Sequence, residues 1–205
     1  MKNLTILASF LFFITTTALS QKYQTLEIGQ YYPKLELDYS MKSVFNQDHR
    51  MSQHFEKKGL LVIFTSNTCP FVIAWEDRYK LIEEICQTYD IDMLYVNSNH
   101  NKRDGDDSFK AMQKHAKEKG YSYPYLLDDK SRLANAIGAK TTPHVFLFDP
   151  TKKLVYKGAI DDNYESAKDV KEFYLKDALI FLSNGEEITA PKTKAVGCSI
   201  KRYTP

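Results

Sequence analysis

Cys69 closes the stretch Phe64-Thr65-Ser66-Asn67-Thr68-Cys69-Pro70, after an apolar run and before an amphipathic one. A thiol at such a junction meets the unpaired backbone N–H groups of a helix start and the positive end of the helix dipole. Both favour thiolate, the form of cysteine that attacks an electrophilic oxygen or sulfur. Ser66 lies three residues earlier. Its hydroxyl suits a hydrogen bond to the thiolate or to a bound peroxide oxygen, and equally suits a turn or helix cap. Thr142-Pro143 precedes a later apolar run. If that bond is cis, the backbone of Thr142 faces a bound chain or thiol; an ordinary strand-entry proline is the other reading.

The chain has three cysteines, Cys69, Cys86 and Cys198. An odd count leaves at least one free or paired between chains. Cys69 and Cys86 fall on one predicted helix, seventeen residues apart. At about 1.5 Å per residue they are roughly 25 Å apart, whereas a disulfide needs Cα atoms within about 7 Å. Cys86 also lies on an apolar stripe, so it reads as a small buried hydrophobe. Cys198, in Val196-Gly197-Cys198-Ser199-Ile200, is the intrachain partner left for Cys69.

Other charged groups offer less. Arg78 lies more than two helical turns beyond Cys69, and both it and Arg132 read as solvated surface residues. His49, His54, His100, His115 and His144 make no metal-ligand spacing with a cysteine, although His144 follows Pro143. Asp104-Gly105-Asp106-Asp107 and Asp161-Asp162 lack calcium-loop spacing and read as turns and helix caps. No metal and no organic cofactor is expected.

The elements that must hold these residues follow from periodicity. Leu60 to Phe64 is a continuous apolar run, expected of a strand buried on both faces. Val72, Trp75, Tyr79, Ile82, Cys86 and Tyr89 recur at steps of three and four, which predicts a helix from about Cys69 to Tyr89. Strands are predicted at 93–96 and 125–127, and helices at 109–119 and 130–137. A hairpin is predicted over 145–148 and 154–157, and a last helix over 170–182. Strands alternating with helices give an α/β class with a central mixed sheet flanked by helices.

Residues 1–20 read as a secretory signal: Lys2, an apolar stretch, then Ala18-Leu19-Ser20. The expectation is an exported protein, periplasmic or extracellular, in an oxidising compartment. One domain over 21–187 would follow, then a tail over 188–205 carrying Cys198. The net charge of +2 is spread with mixed sign, which argues against nucleic acid as a partner.

A set of segments then gives a resemblance. These are Asn67-Thr68-Cys69-Pro70-Phe71-Val72, Val96-Asn97-Ser98-Asn99, Tyr123-Pro124-Tyr125-Leu126 with Asp128, Thr142-Pro143 and Phe146-Leu147-Phe148-Asp149. Val155-Tyr156-Lys157-Gly158 with Asp161-Asp162-Asn163, and Gly197-Cys198-Ser199-Ile200-Lys201, complete it. From about Glu27 to Lys201 the chain resembles the peroxiredoxin-like branch of the thioredoxin-fold redoxins. The resemblance implies a thioredoxin-like fold and thiol chemistry with Cys69 at the peroxide-attacking position. Ser66 stands where the branch usually has the first cysteine of a pair, and Val62 where true peroxiredoxins have a proline.

The expected function is thiol-dependent oxidoreduction at Cys69, with a peroxide or a protein disulfide as substrate. Cys198 is the candidate resolving thiol, an external thiol the reductant, and Thr142 and Pro143 position the substrate. The competing expectation is a non-catalytic binding module of the same fold, with Cys69–Cys198 as a structural disulfide.

Overall fold

Alternation along Leu60–Thr65 decides the layering. Leu60, Val62 and Phe64 enter one apolar cluster, while Leu61 and Ile63 enter another on the opposite face. A sheet covered on both faces needs apolar residues at every position of its central strand, and this one has them. The structure, a computed structural model, describes residues 23–33 and 38–204. The expected signal over 1–20 lies outside the described residues.

A short antiparallel pair, β1 (Met41–Lys42) and β2 (Asp48–His49), precedes the main sheet. Then come β3 (Leu60–Thr65), α1 (Pro70–Thr88), β4 (Asp92–Asn97), α2 (Phe109–Lys119) and β5 (Tyr125–Leu127). α3 (Arg132–Ile137), β6 (Thr141–Thr142), β7 (His144–Phe148), β8 (Leu154–Gly158), α4 (Tyr174–Asn184) and β9 (Cys198–Ser199) follow. The five-stranded sheet has the order β5-β4-β3-β7-β8. β4 runs parallel to β3 and to β5, and β7 antiparallel to β3 and β8, so the sheet is mixed as expected. Buried residues of α1, α2 and α4 pack on one face, and those of α3 on the other.

α1 begins where the sequence says it should. Cys69 is its N-cap and Pro70 its first residue, the position where a missing N–H costs nothing. Val72, Trp75, Tyr79, Ile82 and Cys86 form its buried stripe. Burial pushes the Cys86 thiol well above the usual cysteine range. Cys86→Ala is expected to leave oxidation at Cys69 intact and to lower stability by about 1 kcal/mol. Urea unfolding beside a peroxide assay checks both halves of that statement.

Around this frame the structure departs from expectation at α4, α3, Arg78 and Asp161. α4 starts at Tyr174 rather than 170, because Val170 is extended (φ −64°, ψ 127°) and the chain there is tied to Asp162. Asp162 accepts the Lys171 N–H at 3.0 Å and its own N–H donates to the Glu172 carbonyl at 3.3 Å. α3 starts at Arg132 rather than 130, since Lys130 and Ser131 adopt positive φ. Arg78 is buried, not solvated: its Nε donates to Asp161 Oδ2 at 3.2 Å and its Nη2 to the Asn163 carbonyl at 2.6 Å. Asp161 is therefore no simple turn residue; it also accepts Trp75 Nε1 at 2.7 Å and locks the loop after β8 onto α1. Arg132 is exposed, as expected, and lies 3.7 Å over the Tyr39 ring.

The tail is fastened to the domain. Pro191 and Thr193 bond the backbone of Lys157 at 3.0 Å each, and Thr193 Oγ1 meets Tyr156 Oη at 2.8 Å. A Cβ at Gly158 would come within 2.0 Å of Thr193 Oγ1, so the close approach requires glycine there. Further on, β9 pairs antiparallel with β6, Thr142 opposite Cys198 and Thr141 opposite Ser199. A Cβ at Gly197 would fall 2.3 Å from the Thr142 carbonyl oxygen, so glycine is needed here too. Ile200 then donates its N–H to the Lys140 carbonyl at 3.1 Å.

Candidate active site

The C-terminal tail meets the start of α1 at Cys69. Its side chain is buried, 5% exposed, between the start of α1 and the turn that leads into β7. Cys69 Sγ donates to the Thr142 carbonyl oxygen at 3.0 Å. Cys198 Sγ lies 2.7 Å from Cys69 Sγ, and both thiols are free. Spacing along the sequence left Cys198 as the partner for Cys69, and β9 pairing with β6 is what brings it there.

One expectation about Cys69 changes. It occupies the N-cap, but its side chain makes no cap hydrogen bond. It turns toward Thr142 instead, and the helix-start N–H of Phe71 faces Cys198. Burial, then the hydrogen bond and charge of Cys69, push the Cys198 thiol up to about 11; Lys201 and the Phe71 N–H act the other way. Cys198 is half-buried and thus the more accessible sulfur of the two.

The Thr142–Pro143 bond is cis. Ser66 and Thr142 are both buried, and their hydroxyl oxygens lie 3.3 Å apart. The structure therefore places the Ser66 hydroxyl on Thr142, the residue that holds Cys69, and gives it no bond to Cys69 itself. Pro143 adjoins that contact from β7's side.

His144, the next residue, is buried and accepts the Lys140 N–H on Nδ1 at 3.1 Å. Burial, helped by the charges of Lys157 and Lys140, lowers its pKa from 6.5 to about 3. With the folded value depressed, the unfolded chain binds more protons between those limits. The stability this histidine contributes is complete above pH 6.5 and is lost as pH falls toward 3. Urea midpoints measured downward from neutrality are expected to fall. His144→Asn, which keeps an acceptor for Lys140, is expected to flatten that decline relative to the parent.

Sequence reasoning missed the support beneath the cysteine loop. Asp107 is fully buried and is not a cap; Ser108 Oγ caps α2 by accepting the Ala111 N–H. Asp107 instead accepts the Asn67 N–H and the side-chain amides of Asn97 and Asn99. Tyr125 Oη donates to Asn67 Oδ1 at 3.0 Å, and Arg103 Nη1 donates to Asn97 Oδ1 at 2.8 Å. The available signal was the pair of amides Asn97 and Asn99 where β4 ends, close in sequence to an acidic run with which side-chain amides can bond.

A family model described as Redoxin matches residues 29–174. The chain belongs to the Redoxin family. The match takes in Ser66, Cys69, Thr142 and Pro143, and stops before the tail that carries Cys198. Among solved structures, a hypothetical protein from Sinorhizobium meliloti 1021 is 26% identical, with 89% of this chain and 98% of that one covered and a TM-score of 0.79. An uncharacterized conserved protein from Geobacillus kaustophilus is also 26% identical, with 87% and 93% covered and a TM-score of 0.78. Peroxidoxin BcpB from Mycobacterium tuberculosis is 15% identical, with 78% and 97% covered and a TM-score of 0.58, a likeness of fold. A search of curated proteins found no match. This redoxin thus has the expected thioredoxin-like fold, of the peroxiredoxin-like kind, in a family of thiol oxidoreductases.

Proposed function

We propose that this redoxin is an exported peroxide-reducing thiol oxidoreductase in which Cys69 attacks and Cys198 resolves. The contact of 2.7 Å between their sulfurs carries the reading. Cys69 thiolate takes the distal oxygen of a peroxide ROOH; the O–O bond breaks, an S–O bond forms, and ROH leaves with one added proton. The product is Cys69 sulfenic acid. Cys198 then attacks that sulfur, releasing water and forming the Cys69–Cys198 bridge. Two equivalents of an external thiol reduce the bridge and become a disulfide themselves.

Peroxide is favoured over a protein disulfide by what occupies the site. The backbone of Thr141–Thr142, where an extended peptide would pair, is already taken by Cys198–Ser199. A small oxidant needs only the Cys198 side chain to turn aside. The S–H bond from Cys69 to the Thr142 carbonyl belongs to the resting thiol and is given up when the thiolate forms.

Catalysed consumption of hydrogen peroxide by the full chain with a small dithiol tests the proposal. Turnover well above the dithiol alone is expected; consumption no faster than the dithiol alone overturns it. A second reading has the 5% exposure of Cys69 behind it: a permanently closed, structural bridge in a binding module. A bridge potential below about −300 mV would favour that reading, and a higher one the enzyme.

A further inference from the structure

Two hydrogen-bonded arms leave one buried carboxylate and end on the two cysteine segments. Asp107, 1% exposed, accepts the Asn67 N–H on Oδ1 at 2.9 Å, two residues before Cys69. The same oxygen accepts Asn97 Nδ2 at 2.7 Å. Its Oδ2 accepts Asn99 Nδ2 at 2.9 Å. Asn99 Oδ1 in turn accepts the Lys201 N–H at 2.8 Å, three residues after Cys198, and the Asn101 N–H bonds the Lys201 carbonyl at 3.0 Å.

The arms are held in one sense only. Asn97 Oδ1 is occupied by Arg103 Nη1 at 2.8 Å and by the Asn99 N–H at 3.1 Å, so its Nδ2 must face Asp107. Asn67 Nδ2 is spent on the Asp106 carbonyl at 2.7 Å. A buried carboxylate stripped of these donors is costly, which is why it fixes their places so firmly.

We propose that Asp107 is a positioning residue that sets the separation of Cys69 and Cys198, and thereby decides between bridging and over-oxidation of Cys69. The role rests on the bridge-forming reading above. Oxidised Cys69 stands at a fork. In one branch Cys69–SOH and Cys198–SH give the bridge and water. In the other Cys69–SOH and a second ROOH give the sulfinic acid and ROH. The first branch is intramolecular and depends on how often the sulfurs meet. The second depends on peroxide alone. Loosening either arm slows the first and spares the second.

The test exposes the reduced full chain and two variants to graded excess hydrogen peroxide, then maps Cys69 peptides by mass spectrometry. Asp107→Asn places an amide against donor N–H groups and disturbs both arms. Asn99→Ala cuts the tail arm alone. In both, the ratio of Cys69 sulfinic acid to bridge is expected to rise about tenfold, a larger effect than on the rate of first oxidation. Circular dichroism confirms folding; if Asp107→Asn does not fold, Asn99→Ala decides. Equal ratios in the parent and the folded variants overturn the positioning role alone. A parent protein that forms no bridge overturns the underlying reading and the role with it.

Discussion

Cys69→Ser is expected to abolish peroxide-driven oxidation of the site. Serine is close in size, and its hydroxyl can still donate to the Thr142 carbonyl that Cys69 Sγ now faces. The fold should therefore survive, with a stability change on the order of 1 kcal/mol. The chemistry does not survive, because a serine hydroxyl is not ionised near neutral pH and is a poor nucleophile without a base. Among the described residues no histidine bonds the position; His144 spends Nδ1 on the Lys140 N–H. Cys86 is sealed in the core, so it offers no substitute. Thiol loss after a pulse of hydrogen peroxide should fall to the rate of an isolated cysteine, and retention of the parent rate would remove Cys69 from its role.

Cys198→Ser should separate the two halves of the reaction. Cys69 is still oxidised once, but no bridge forms. Sulfenic acid then persists long enough to be trapped by a 1,3-dione, and further peroxide carries it to sulfinic acid. Turnover with a small dithiol falls, since the resolving step now waits for an external thiol. The tail itself should stay in place, because Thr193, Gly197, Ile200 and Lys201 hold it independently of the sulfur. Undiminished turnover without a bridge would show that the contact between Cys69 and Cys198 plays no part in the cycle.

Much of this architecture is legible from local rules. The period of α1, Pro70 at its first turn and the unbroken apolar run of β3 each follow from one principle and its residues. So does the separation of Cys86 from Cys69 along one helix. Arg78 escaped because its partner, Asp161, is 83 residues away and no local pattern joins them. Val170 to Phe173 looked helical from side chains alone, yet Asp162 takes up the backbone there and holds it extended. Asp107 escaped for the same reason as Asp161: a short acidic run looks solvated until other segments bring it N–H donors. The gripping of Cys69 by helix amides was argued from position along the chain. The direction of its side chain, which turns to Thr142, depends on a contact across 73 residues.

The central claim is that Cys69 and Cys198 act as one redox pair. It is tested most directly by adding one equivalent of hydrogen peroxide to the reduced protein, counting thiols and mapping the linked peptides. The expected result is joint loss of the Cys69 and Cys198 thiols, a covalent link between their peptides, and an untouched Cys86. Oxidation of Cys69 with Cys198 left as a free thiol, or no loss of either, would contradict the account.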